Sequence, residues 1–159
     1  MLERSSLILT FTGAIGAGLV GGIFFAFSTF VMAALGRLPP QQGVDAMNAI
    51  NVTVINPAFM AAFMGTALIC LVLAVGAAFR LGQAGSLPIL VASLVYLVGC
   101  FGVTMVCNVP LNDRLAAVGP GEAASLWALY LRDWTLWNHV RTVAPVLSAA
   151  LFTLALRAR

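Results

Sequence analysis

The sequence predicts an all-α integral membrane protein: a four-helix bundle with a partly helical cap formed by the connections between helices 1 and 2 and between helices 3 and 4. Three observations carry this. Of the 159 residues, 62% are hydrophobic and only 8% charged, against roughly 25% charged in a soluble domain. The charges cut the chain into charge-free runs at 5–36, 46–79, 81–112 and 142–156, and about 20 apolar residues span a bilayer. The connections alternate long, short, long. The length fits one domain, so a single transmembrane domain over residues 1–159 is expected, with helices at about 7–35, 57–79, 87–107 and 138–157.

The first run is too long for the roughly 7–15-residue apolar core of a signal peptide, so it reads as a spanning helix. Within it Ala14, Gly18, Gly22 and Ala26 recur every four residues. Small residues at that spacing let another helix backbone approach closely. The stripe fits packing inside the bundle, or a homodimer face. The connection that follows opens at Pro39-Pro40 and then turns helix-like. Asn56-Pro57 starts helix 2, because Asn is a preferred N-cap and Pro is tolerated at the first helical position. "RLGQAGS" is a short polar turn. Val109-Pro110 ends helix 3 near residues 107–108, because the residue before a proline is pushed away from helix. The last connection is broken at Gly119-Pro120-Gly121.

Four spans put both long connections at one end of the bundle. Arg4, Arg80, Arg157 and Arg159 fall at one end, and Arg37, Arg114, Arg132 and Arg141 at the other. The count of cations ties. Asp45, Asp113, Glu122 and Asp133 join the second group and leave the first net positive, so both termini are placed in the cytoplasm.

Composition also bounds function. No Asp or Glu falls deep in a span, where proton-coupled transporters and ion channels keep ionisable groups. One histidine cannot build a histidine-based metal site. Cys70, Cys100 and Cys107 form no C-x-x-C pair and read as buried thiols. There is no Gly-rich phosphate loop, and the net charge of +3 is scattered, so no nucleic-acid footprint exists. The expected partners are the lipid bilayer and a hydrophobic small molecule.

Polar chemistry concentrates at the capped end. All six asparagines lie there: Asn48, Asn51, Asn56, Asn108, Asn112 and Asn138. Capping and turns explain some of them. Projected at 100° per residue, Trp127, Tyr130, Trp134, Asn138 and Arg141 share one face, Trp137 lies at its edge, and His139 points about 140° away. Residues 142–156 rise only about 22 Å against a hydrocarbon core of about 30 Å. The helix must therefore begin near Asn138, which draws Arg141 towards the membrane. A charge there costs a few kcal/mol unless it faces the bundle interior, snorkels or finds a partner. Pro145 leaves the carbonyl of Arg141 without its usual donor. A polar or anionic ligand satisfies this pattern, and so does a snorkelling arginine paired with Asp113 or Asp133.

"GGIFFAFSTFVM", "MNAINVTVINPAFM", "NVPLND" and W-x-x-Y-x-x-x-W-x-x-W-N-x-x-R occur in this order. Together they resemble the anthrone oxygenase family, small four-helix membrane proteins mostly filed as a domain of unknown function. The resemblance covers nearly the whole chain. It implies an oxidoreductase that turns an anthrone or similar phenolic aromatic into a quinone with O₂, with no metal, flavin or other cofactor. It also implies residue roles. Arg141 with Asn138, Asn108 and Asn112 would surround the oxygen of the substrate anion, with Asn51 and Asn56 nearby. Trp134, Trp137 and Tyr130 would stack on a flat polycycle. His139, with an ordinary pKa near 6.5, and Asp113 are the two candidate bases. The alternative is a non-enzymatic membrane module that binds a lipid, a quinone or a partner membrane protein.

Overall fold

The computed structural model describes residues 2–119 and 121–158, the side chains of residues 2 and 3 excepted. Pro120 and Arg159 lie outside the described residues. Four helices are long and apolar enough to cross a membrane, Arg4–Leu35, Pro57–Ala78, Ser86–Ala116 and Ala123–Arg157, and a fifth, Pro40–Thr53, lies across one end of the bundle. The described residues contain no strand. Large apolar side chains such as Phe11, Ile15, Leu68, Val98 and Val143 point outwards. In water such a surface would drive association; in a bilayer, hydrocarbon solvates it. The chain is an all-α integral membrane protein.

The spans form a ring in which the first and third each pack on the second and fourth. The central core is apolar, with Ala17, Val20, Phe63, Cys70, Ala92, Cys100 and Phe152. A few polar ties cross it. Tyr96 donates to the carbonyl of Phe63 at 3.1 Å, and Ser148 to that of Ala92 at 2.8 Å. Such bonds average about 0.6 kcal/mol in membranes, so packing dominates. A second core joins the cap helix to the outer turns of the third and fourth spans through Val44, Met47, Leu115, Trp127 and Tyr130.

The packing stripe of the first span is one residue out of register with the expected one. A Cβ on Gly18 or Gly22 would meet nothing within 4 Å, so that face looks outwards. The close approach is made by Gly13, Ala17 and Gly21. A Cβ on Gly13 would touch Ile69 and Phe152, and one on Gly21 would lie 3.0 Å from Val146. Both stripes are small at every fourth position, and spacing alone does not say which faces inwards.

Two expected boundaries are corrected. The third span does not end at residues 107–108. It runs through Val109-Pro110 to Ala116. Proline breaks a regular helix by clashing with the carbonyl four residues back. Here wide π-helical turns, Leu97–Gly102 and Thr104–Asn108, precede it, and Pro110 falls in the first turn of Val109–Ala116. The fourth helix does not begin at residue 138. A single 35-residue helix covers Ala123–Arg157, with Pro145 buried inside it. That helix is about 52 Å long. Counted back from Arg157, about 30 Å of hydrocarbon reaches residue 137, so the outer turns stand beside the cap and Arg141 sits about one turn inside.

The first span carries its own π-helical segment, Phe27–Val31. Such segments are rare and gather at functional sites. Here they flank the same part of the fourth span.

Candidate functional site

A cavity of about 330 Å³ lies where the two cores meet. Small-molecule sites start at about this size. Its walls are the aromatic rings of Phe24, Phe27, Phe59, Phe63 and Phe101, with Met47, Met60, Met64 and Met105. All four spans and the cap helix contribute. Ile55, Met64 and Met105, at its rim, are exposed to the lipid side.

Arg141 is the charged group in this wall. It is only 5% exposed, and a lone buried charge of this kind costs several kcal/mol. Three contacts offset that. Its Cζ lies 4.3 Å from the Phe24 ring centroid and 4.4 Å from that of Trp134; cation–π contacts contribute about 2 kcal/mol or more when desolvated. Its Nε donates to Asn138 Oδ1 at 2.9 Å. Among the described residues the ion pair is Arg132–Asp133, on the exposed surface. Among the described residues no carboxylate lies within reach of Arg141, so neither Asp113 nor Asp133 is its salt-bridge partner.

Asn138 is fully buried and fully engaged. Its Nδ2 donates to the Phe24 carbonyl at 2.8 Å and to Ser28 Oγ at 2.7 Å. Ser28 in turn shares a 2.9 Å hydrogen bond with Thr142. Ser28 lies in the π-helical segment of the first span, whose wider turn brings it to the fourth helix. Asn108, in the segment ending at residue 108, donates to the Trp134 carbonyl at 3.2 Å. It ties two helices together and does not line the cavity.

Asn112 does line it. Its Oδ1 accepts from Tyr130 Oη at 2.8 Å and from Trp134 Nε1 at 2.9 Å. Asn51, from the cap helix, reaches the same wall, with its buried Nδ2 beside the Tyr130 hydroxyl but in no hydrogen bond of good geometry.

The five residues of the helix-four stripe, Trp127, Tyr130, Trp134, Asn138 and Arg141, are all buried. Their roles differ from those implied. Trp127, Tyr130 and Trp134 stack on one another, with centroids 5.7 and 5.9 Å apart. Tyr130 lies inside this ladder and has no face left for a ligand; Trp134 alone of the three borders the cavity. Trp137 is 38% exposed and lies outside the wall. Both candidate bases lie outside it too. His139 is exposed on the far side of the helix, as the projection indicates, and Asp113 is exposed on the turn after Asn112. Asn56 accepts from the Phe59 amide at 3.0 Å and caps the second span. Among the described residues no group of three or more His, Cys, Asp or Glu side chains converges as a metal site would require.

Sequence reasoning missed Phe24 and Ser28, which hold Arg141 and Asn138 in place. The signal was "GGIFFAFSTFVM", a run of aromatic and hydroxyl residues beside a small-residue stripe. A local pattern gives no hint of a partner 114 positions away.

Comparison with known proteins places the chain in a family. The family model described as anthrone oxygenase fits residues 58–151, more than half of the chain. The matched region holds Asn112, Trp134, Asn138 and Arg141. No curated protein and no solved structure matches.

Proposed function

Because the chain belongs to the anthrone oxygenase family, we propose that it oxidises a hydrophobic anthrone- or phenol-like aromatic to the quinone with O₂, without metal or flavin, in the cavity beside Arg141. The observation that carries this is a buried arginine without an acidic partner, in an otherwise aromatic and aliphatic wall. The reaction balances on its own: the methylene carbon takes one oxygen atom as its carbonyl, and the other leaves as water with the two methylene hydrogens.

Loss of the first proton leaves a carbanion that delocalises onto the ring oxygen. Arg141 would hold that oxygen, and in a low-dielectric wall a fixed cation is worth far more than in water. The phenyl rings and thioethers would hold the polycycle and keep water from the electron-rich anion while O₂ approaches. Phe24, Trp134 and Asn138 keep the guanidinium in one place. The excess of arginine over acid at the end bearing the termini supports placing both termini in the cytoplasm.

A second reading has its own support. The cavity wall holds neither His139 nor Asp113, and a site without a base suits a module that binds an aromatic or a quinone and does nothing to it.

The test uses purified protein in detergent with emodin anthrone in air, following quinone absorbance above the spontaneous rate, with and without a chelator. Turnover insensitive to chelator and reduced at least tenfold in Arg141→Met supports the oxygenase. A folded wild type that binds the product quinone without turnover supports the binding module.

A further inference from the structure

Oxidation of an anthrone begins with a proton leaving the ligand, and the cavity wall holds no side chain suited to take it. Its polar members are Arg141, Asn51, Asn112, Thr104 and the Trp134 indole. The Thr104 hydroxyl is turned back onto the Cys100 carbonyl at 2.8 Å. The Trp134 indole N–H is committed to Asn112. Asn112 Oδ1 already accepts two hydrogen bonds, which fixes the amide and leaves its NH₂ as the end free for the cavity. Asn51 Nδ2 is buried beside the Tyr130 hydroxyl and makes no hydrogen bond of good geometry to it. Arg141 engages Nε and both ring neighbours, and its remaining N–H groups meet no carboxylate. The titratable groups that act on it are Cys100 and Tyr130. Cys100 is wholly buried and off the wall, and Tyr130 donates its proton to Asn112.

We infer that this cavity is a receptor for the anion of its ligand: Arg141, Asn112 and Asn51 select the ionised form of a planar phenolic or enolisable aromatic, and the ligand's own acidity, not a protein base, sets the pH dependence. The ligand class rests on the proposed oxidation. The ionic form rests on the wall. A neutral ligand meets these donors only with its carbonyl oxygens, whereas charge-assisted hydrogen bonds to an anion are roughly twice as strong, and the cation adds attraction for charge. The proton goes to water or hydroxide outside the cavity before the anion is seated.

The experiment measures binding, not turnover. Two hydroxyanthraquinones of different acidity and an O-methylated counterpart are titrated into the protein in lipid nanodiscs from pH 6 to pH 10, with empty nanodiscs subtracted. Quenching of tryptophan fluorescence reports occupancy, and each dye's absorbance gives its own pKa. Affinity for each ionisable dye should rise about tenfold per pH unit, as the ionised fraction does, and level off at that dye's pKa. The two breaks should therefore fall at different pH values. The methylated dye should bind weakly and without a break. Asn112→Asp keeps an acceptor for Tyr130 and Trp134 but places a charge on the wall; it should abolish the rise.

A common break for both dyes would assign the proton to a protein group and overturn the inference. So would flat profiles, equal binding of the methylated dye, or no binding. These outcomes are separate from the oxygenase assay. Breaks that track the dye in a protein that never turns over an anthrone would leave this inference standing and remove the oxygenase. Turnover with a common break would do the reverse.

Discussion

Asn138 holds Arg141 to the first span: its Oδ1 accepts from Arg141 Nε at 2.9 Å, and its Nδ2 donates to the Phe24 carbonyl and Ser28 Oγ. Replacing it separates positioning from charge. Asn138→Ala leaves buried groups unpaired, each worth about 1–3 kcal/mol, and frees the guanidinium. A misplacement of about 1 Å can lower a rate about a hundredfold. Asn138→Ala should therefore lower both melting temperature and turnover. Asn138→Asp gives Arg141 a counter-ion but removes the donor to the Phe24 carbonyl and sets a carboxylate oxygen against it, so it should also lower the melting temperature and lose turnover. Paired thermal melts and quinone formation check both.

His139 and Asp113 are exposed and off the cavity wall. His139→Gln and Asp113→Asn should leave turnover within about twofold and melting unchanged, since such surface changes usually stay within about 0.5 kcal/mol. A tenfold fall in either, in the same absorbance assay, would return that residue to the reaction.

Gly43 lies beneath the aromatic ladder. A Cβ there would sit 2.5 Å from Trp127 Cε2. Gly43→Ala should push Trp127 out of its stack with Tyr130 and destabilise the fold by about 1–3 kcal/mol, the usual range for overpacking. Thermal unfolding in detergent and the tryptophan emission maximum check it.

Neighbouring glycines of the first span should behave oppositely. The Cβ of Gly21→Leu would meet Val146 and Pro145, whereas that of Gly22→Leu would meet nothing within 4 Å. The first should destabilise the isolated chain by about 1–3 kcal/mol and the second by less than about 1 kcal/mol. Melting of both in the same detergent decides it. Equal effects would mean that Gly22 also faces a helix, in this chain or a second copy.

Much of this was legible in the sequence. The membrane class, the four spans, the cap and the buried stripe Trp127, Tyr130, Trp134, Asn138 and Arg141 all follow from hydropathy and 100° spacing. Asn56 as a cap is a local rule and holds. The failures have physical causes. Pro110 reads as a stop because the rule assumes regular turns before it, and the turns before it here are π-helical. The inward stripe of the first span was ambiguous because two registers of small residues coexist. The resemblance gives Tyr130 and Trp137 to a ligand, but neither a motif nor a projection shows what already covers a face: Tyr130 is stacked between two tryptophans and Trp137 lies off the wall.

The π-helical segments Phe27–Val31, Leu97–Gly102 and Thr104–Asn108 each amount to an extra residue accommodated without breaking the helix. Every side chain beyond such a point is rotated by about 100° from where a regular helix would put it. The cavity thus depends on chain length as much as on residue identity. Deleting one residue from the first of these segments would offer the helix a regular path and turn Ser28 away from Asn138, with nearly the same composition and hydropathy. Two chains of this kind could share every polar residue of the wall, differ by one position in length, and only one of them would have a binding site.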